Sequence, residues 1–319
     1  MSSLPTSDFR LPTFPDSLPT FPHRLSTFSY DHPDVDRLIR FALEEDLRTV
    51  GDLTCRALVP STARLHATLT AKEAGVVCGL DLFRRVARVL GSNLAVSQEL
   101  RDGERVTPGT VVWQGIGDAA AILILERTSL NLVQRLSGTA SETRRFVDAV
   151  VGCRAAIYDT RKTTPGLRLL QKHAVVAGGG RNHRIGLYDQ VLIKENHIAL
   201  MPRGPHDSSP AEAVRRAREC LGNDTIIEVE IESLTDLAPC LRASANIVLC
   251  DNMTPAQLRE AVAIRDRTPE GRSCALEASG GITLSTVRAY ADTGIERISV
   301  GALTHSAPCL DLSLRCTVA

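Results

Sequence analysis

The sequence predicts an α/β protein: a small N-terminal α+β domain followed by a (β/α) barrel or a close variant of one. Three observations carry this. Past residue 150, short apolar runs alternate with helical segments at a spacing that demands parallel strands joined by right-handed crossovers. Between residues 64 and 113 the pattern is instead one of short β-rich runs separated by turn residues. Polar or ionisable residues follow each of the six late apolar runs, where a parallel barrel has its C-terminal rim.

The first 30 residues hold a seven-residue repeat, LPTSDFR, LPTFPDS, LPTFPHR and LSTFSYD, with Leu4, Leu11, Leu18 and Leu25 in register. A period of seven suits a coiled coil, but Pro5, Pro12, Pro15, Pro19 and Pro22 remove helix donors and clash with the preceding turn. Residues 1–30 are therefore expected to be a disordered tail, with peptide docking or a misassigned start codon as alternatives. Folded sequence begins at DHPDVDRLIRFALEEDL, where Val35, Leu38, Ile39, Ala42 and Leu43 share a helical face behind an Asp34 cap. LHATLTA, GVVCG and TVVWQG read as strands, RDGERVTPG as turns and LDLFRRVARVLG as a helix. AAAILILERTSLNLVQRLSG is a long helix leaving this domain. The barrel strands are AAIYD, QVLIK, TIIEVEI, NIVLCD, CALEAS and RISVG, with PAEAVRRARECLG, PAQLREAVAIRD and LSTVRAYADTG as helices. The expected bounds are 31–137 for the first domain, 138–302 for the barrel and 303–319 for a C-terminal segment returning to the first domain.

A chain of 319 residues that is 43% hydrophobic and 23% charged can bury a sizeable core and has the composition of a globular enzyme. Its formal net charge is zero, which argues against nucleic acid or an anionic membrane as partner. The positive charge is local. Asp159 to His197 holds Arg161, Lys162, Arg168, Lys172, Arg181, Arg184 and Lys194 against three carboxylates, a pattern that points to a small anionic ligand. The nine cysteines show no C-x-x-C spacing, so free thiols are expected rather than zinc or disulfides. No apolar run approaches the roughly 18 residues of a membrane span, and MSSLPTSDFR lacks the features of a signal peptide. A cytoplasmic protein is expected.

The rim residues divide by charge. Thr160, Arg161 and Lys162 follow the first barrel strand and Lys194 the second; Glu230 and Glu232 end the third, and Asp251 and Asn252 the fourth. Cations there suit carboxylates and phosphates, arginine for planar bidentate capture and lysine as a point charge. Glu230 and Asp251 suit a hydrated magnesium ion shared with substrate phosphates, or ion pairs with the rim lysines, and both roles can hold at once. Ser279, Gly280 and Gly281, with Gly301, place backbone N–H groups at the last two strand ends, where barrels bind phosphate. GGGR at 178–181 matches no Walker pattern and reads as a tight turn positioning the following NHR. These parts fit transfer between a phosphorylated sugar and a small acid. They also fit a phosphosugar aldolase using Lys162 or Lys194 as a Schiff-base amine.

The strings ERTSLNLVQRLSGTA, DTRKTTPGLRLLQKHAV, GGGRNHRIGLYDQVLIKENHI, EVEIESL, VLCDNM, EASGGI and ISVGALTHS resemble the quinolinate phosphoribosyltransferase family. EEDL, GDLT and AKEAGVVCGL extend the resemblance into the first domain, so that it spans roughly residues 33–312. It implies a pentosyl-transferring glycosyltransferase of de novo NAD synthesis: quinolinate and phosphoribosyl pyrophosphate (PRPP) give nicotinate mononucleotide, pyrophosphate and carbon dioxide. It further implies an open-faced sandwich for the α+β domain and an incomplete (β/α) barrel of the type II phosphoribosyltransferase kind. Mg2+ would accompany PRPP, without an organic cofactor. A homodimer with a shared active site is implied, with room for a higher oligomer.

Carried over by residue, Arg161, His183, Arg184 and Lys194 would bind the quinolinate carboxylates, and Arg127 would reach in from the neighbouring subunit. Lys162 would lie at the reacting centre, with Glu230 and Asp251 toward ribose and metal. Thr160, Lys162, Lys194, Ser279, Gly280, Gly281 and Gly301 would meet PRPP and its phosphates. KEN in place of a common KDN, SET after SGTA and the closing RCTVA depart from the family pattern without touching a matched site residue. Nicotinate and nicotinamide phosphoribosyltransferases, and a non-catalytic phosphate-ligand binder, are the competing readings.

Overall fold

The computed structural model describes residues 28–202 and 208–319. Most of the expected 1–30 tail lies outside the described residues. Its last part does not: the Phe28 ring stacks on His173 at 4.1 Å, and the Tyr30 hydroxyl donates to Asp102 at 2.5 Å. The helix Pro33–Leu47 follows, burying Val35, Ile39 and Leu43 on the expected face. His32, not Asp34, is its cap, accepting the Asp34 N–H on Nδ1 at 3.1 Å. Proline tolerates the first helical position, so the helix starts at Pro33 and Asp34 falls in its first turn, where a negative charge is favoured.

In chain order the strands are β1 (Arg64–Ala71), β2 (Gly75–Val76), β3 (Leu94–Glu99), β4 (Arg105–Val106), β5 (Val111–Asp118), β6 (Ala156–Tyr158), β7 (Val191–Ile193), β8 (Ile227–Ile231), β9 (Ile247–Asp251), β10 (Ala275–Ser279), β11 (Arg297–Ser299) and β12 (Leu312–Val318). An antiparallel sheet ordered β12-β1-β5-β3 forms the first unit, with β2 and β4 as a small separate ladder. Alternate β1 residues Ala67, Leu69 and Ala71 are buried, and the Phe83 ring of the helix Leu82–Val89 stacks on Trp113 at 4.7 Å. The sequence reading does not mark β3 or β12 as strands. Both are edges of the sheet, and their polar outward residues weaken the apolar alternation that reveals a strand.

The second sheet is parallel and ordered β6-β11-β10-β9-β8-β7. Strands β6 and β7 do not pair, so the (β/α) barrel is incomplete. The free edge of β6 is covered instead by Arg181, whose N–H donates to the Ile157 carbonyl at 2.8 Å and whose carbonyl accepts from Asp159 N–H at 3.0 Å. Alternate residues such as Val229, Val248, Leu276 and Ile298 pack outward against helix residues Val214, Leu241, Leu258 and Val287. Ser209 and Thr254 cap two of these helices, each followed by a proline at the first turn. The helix Ala119–Ala149 joins the two units, with Ile122 to Ala140 in the core of the first and Phe146 in that of the second. Among the described residues no helix is long and apolar enough to cross a membrane, and all nine cysteines are unpaired.

Candidate active site

Because the strands are parallel, β6 to β11 deliver their last residues to one rim, and a cavity of about 610 Å³ lies there. Of the residues expected at the site, Thr160, Arg161, Lys162, His183, Arg184 and Lys194 line it. So do Glu230 and Asp251 on one side, and Ser279, Gly280 and Gly281 on another. Gly301 stands just behind: a Cβ there would come within 3.1 Å of Lys162 Cδ and of His305 Nε2. His305 is a neighbour that the sequence reading passed over, although it stands in the quoted string ISVGALTHS.

Arg127 is elsewhere. It sits exposed on the helix Ala119–Ala149 and lines a separate hollow of about 320 Å³ with Lys72, Glu126 and Asp311. Within its own chain it does not join the rim cavity.

The cationic stretch that flagged the site serves two purposes. Lys172 is wholly buried and donates to Asp159 Oδ1 at 2.5 Å and to the His183 carbonyl at 3.0 Å. Asp159 also accepts from Asn182 Nδ2 at 2.6 Å and from the His183 N–H at 2.8 Å. Burial pulls the Lys172 pKa down and the Asp159 pKa up, each opposed by the charge of the other. This pair ties the end of β6 to the Asn182–Arg184 segment, a tie that sequence cannot show. Arg168 donates to Thr163 Oγ1 and the Ile185 carbonyl. Four of the seven cations, Arg161, Lys162, Arg184 and Lys194, therefore line the cavity.

Arg161 carries a buried Nε with no hydrogen-bond partner among the described residues. Burial first, and then the charge of Arg161, lowers the Arg184 pKa, as expected of two cations facing one space. Such an arrangement is relieved by an anion. Across the cavity Lys194 Nζ is ion-paired with Glu230. Burial raises the Glu230 pKa, Lys194 opposes that, and the Asp251 carboxylate adds to it, so the two acids sense each other. Their donor set fits two ligands of a hydrated divalent cation whose other positions go to water and phosphate.

The glycines are built into the cradle. Gly280 has φ +100°, and a Cβ there would stand 2.1 Å from Asn252 Oδ1; Gly281 has φ +60° with open space before it. Lys162 is fixed from its backbone, its N–H donating to Thr160 Oγ1 at 3.1 Å and its carbonyl accepting from Thr304 Oγ1 at 2.8 Å.

His183 is engaged at both ring nitrogens. Nε2 lies 2.9 Å from a Glu228 oxygen and 3.4 Å from a Glu277 oxygen, and Nδ1 accepts the Arg184 N–H at 2.7 Å. Burial lowers the His183 pKa, but the two carboxylates outweigh it and raise it to about 9. The Arg184 N–H on Nδ1 works against a second ring proton, and the Glu228 carboxyl is itself raised by burial and by the charge of Glu277.

Comparison with known proteins points to one family. A family model described as the C-terminal domain of quinolinate phosphoribosyl transferase matches residues 139–315, and one for the N-terminal domain matches residues 52–137. A probable carboxylating nicotinate-nucleotide pyrophosphorylase of Bacillus subtilis is 40% identical over 90% of this chain and 95% of its own length. The carboxylating nicotinate-nucleotide pyrophosphorylase of Mycobacterium leprae is 42% identical over 86% of this chain and 95% of its own. The solved nicotinate-nucleotide pyrophosphorylase of Francisella tularensis superposes with a TM-score of 0.80 at 37% identity, covering 90% of this chain and 98% of that one.

Proposed function

The chain belongs to the quinolinate phosphoribosyltransferase family, and on that premise we propose how its rim cavity carries out the family's reaction. The enzyme transfers phosphoribosyl from PRPP to quinolinate with decarboxylation, giving nicotinate mononucleotide, pyrophosphate and carbon dioxide for NAD synthesis. Arg161 and Arg184 take the quinolinate carboxylates, and the buried Nε of Arg161, without an acceptor among the described residues, is the observation that carries this assignment. Lys194 stands between the two substrates, on the acid through its charge and on PRPP through Glu230. His183, with both nitrogens engaged, contributes through Arg184. Ser279, Gly280 and Gly281 cradle phosphate, with Gly301 and Thr160 beside Lys162.

Glu230 and Asp251 would hold Mg2+, which when bound supplies charge neutralisation for the departing pyrophosphate. Lys162, exposed at the cavity, favours the same departure as C1 of the ribose becomes cationic. The clamp arginines hold the pyridine nitrogen in line with C1, so that the C1–oxygen bond breaks as the C1–nitrogen bond forms. The alkylated ring nitrogen is then positive. The C2–carboxylate bond breaks and carbon dioxide leaves, its electron pair stays on C2 beside the positive ring nitrogen that stabilises it, and C2 then takes a proton from water. Neither lysine is a desolvated amine, Lys162 being exposed and Lys194 ion-paired, so the geometry favours this route over a Schiff base. Arg127, pointing away from its own cavity, suits a homodimer in which it completes the partner's site. The unpaired cysteines support a cytoplasmic setting.

Incubation with magnesium, PRPP and quinolinate labelled at the 2-carboxylate tests the assignment. Labelled carbon dioxide and nicotinate mononucleotide should appear in equal amounts, and neither without PRPP. Mononucleotide formed from nicotinate but not from quinolinate would overturn the dicarboxylate clamp.

A further inference from the structure

The barrel interior is charged one layer beneath the rim. Ile227, Val229 and Ile231 of β8 pack outward in the helix-facing core, so strand alternation turns Glu228 and Glu230 toward the barrel axis. On β10, Leu276 and Ala278 pack outward, and Glu277 and Ser279 turn inward. Glu230 and Ser279 reach the rim; Glu228 and Glu277 lie one residue position deeper, both fully buried, and Glu277 still lines the rim cavity. Arg297 of β11 donates Nε to Glu277 Oε2 at 2.5 Å, with its guanidinium 3.7 Å from the centre of the Tyr158 ring. Gln190 Nε2 donates to Glu228 Oε2 at 2.5 Å.

Barrel interiors of this class are filled mainly by branched apolar side chains. A buried ionic cluster is at best neutral for stability against an apolar filling of equal volume. Glu228 Oε1 and Glu277 Oε1 also lack hydrogen-bond donors among the described residues. The cluster is therefore not explained by stability. What it contacts is informative: both carboxylates face His183 Nε2, and the opposite nitrogen of that ring accepts the N–H of Arg184. Arg184 in turn lines the rim cavity.

We propose that Glu277 and Glu228 are positioning residues for carboxylate capture, holding the His183 ring and through it the backbone that aims Arg184 at the acid substrate. This rests on the reading of Arg184 as a carboxylate ligand. Glu228 at 2.9 Å and Glu277 at 3.4 Å flank the imidazole Nε2, and Arg297 fixes Glu277, so the chain of contacts runs from β11 through β10 to the clamp. Loss of either carboxylate lets the ring turn and releases the Arg184 peptide.

The test is a double-mutant cycle on KM. Glu277→Gln and His183→Gln should each raise KM for quinolinate about tenfold or more, while kcat and KM for PRPP move less than about threefold. The double variant should be no worse than His183→Gln alone, because both changes cut one connection. Multiplying effects, or equal rises in KM for both substrates, would overturn the proposal. Loss of a buried ion partner can cost about 3–5 kcal/mol of stability. Should Glu277→Gln not fold, Glu228→Gln, which leaves Arg297 paired, enters the same cycle with the same two outcomes. Arg184→Ala separates the two levels. If it leaves KM for quinolinate unchanged, the clamp reading fails; if it raises KM while the glutamate variants do not, only the positioning role fails.

Discussion

Arg161 is marked by its place after an apolar run, and the structure adds the physical reason to single it out: a buried Nε donor without an acceptor among the described residues. A charge-assisted hydrogen bond is worth roughly 1.5–3 kcal/mol, so Arg161→Ala should lose well over about tenfold in kcat/KM for quinolinate. Steady-state kinetics at varied quinolinate would show it, and wild-type values would remove Arg161 from the clamp. Other residues changed meaning once their partners were visible. Lys172 looked like one more cation for the ligand, but it is spent on Asp159. His183 is expected to be a carboxylate ligand, and the structure adds partners at both of its nitrogens. Sequence registers charge and position, whereas the partner of a charge is decided by packing.

Among elements, the helix Ala119–Ala149 is the joint of the molecule, and one glycine decides how closely the returning chain can lie on it. A Cβ at Gly138 would stand 1.8 Å from the Pro308 carbonyl oxygen and 2.9 Å from its carbon. Mid-helix Gly→Ala ordinarily stabilises by about 1 kcal/mol. Here the backbone contact leaves no room, and overpacking of about 1–3 kcal/mol or more should win. Gly138→Ala should therefore lower the melting temperature by several degrees, at roughly 2–4 °C per kcal/mol for a chain of this size. A rise on thermal unfolding would show that residues 308–309 do not pack as described. The same helix was legible from its apolar periodicity. Strands β3 and β12 were not, because an edge strand buries only one flank and its alternation is diluted by polar residues.

For the molecule as a whole, the cavity gathers cations from β6, β7 and the segment before β7, acids from β8, β9 and β10, and glycines after β10. Arg127 stands apart from it in its own chain. In the proposed homodimer with shared sites, mixing Arg127→Ala protein with Lys162→Ala protein should regain up to about a quarter of wild-type activity, since one site in each mixed dimer keeps both residues. A mixture as inactive as its parents after subunit exchange would argue against sharing. The expectation of an incomplete barrel came from the resemblance; periodicity alone left a closed one open.

What the sequence determined by itself was the alternation of strands and helices, and with it the list of strand ends from Thr160 to Gly301 that had to meet on one rim. Those follow from local periodicity and from the single hand of parallel crossovers, both written along the chain. Only the tertiary structure decided which charges line the cavity and which face each other. It set Lys172 against Asp159, turned His183 onto Glu228 and Glu277, and left Arg161 Nε without an acceptor among the described residues. The reason is that burial and pairing depend on distances across strands far apart in sequence, and those distances exist only after the sheet has formed.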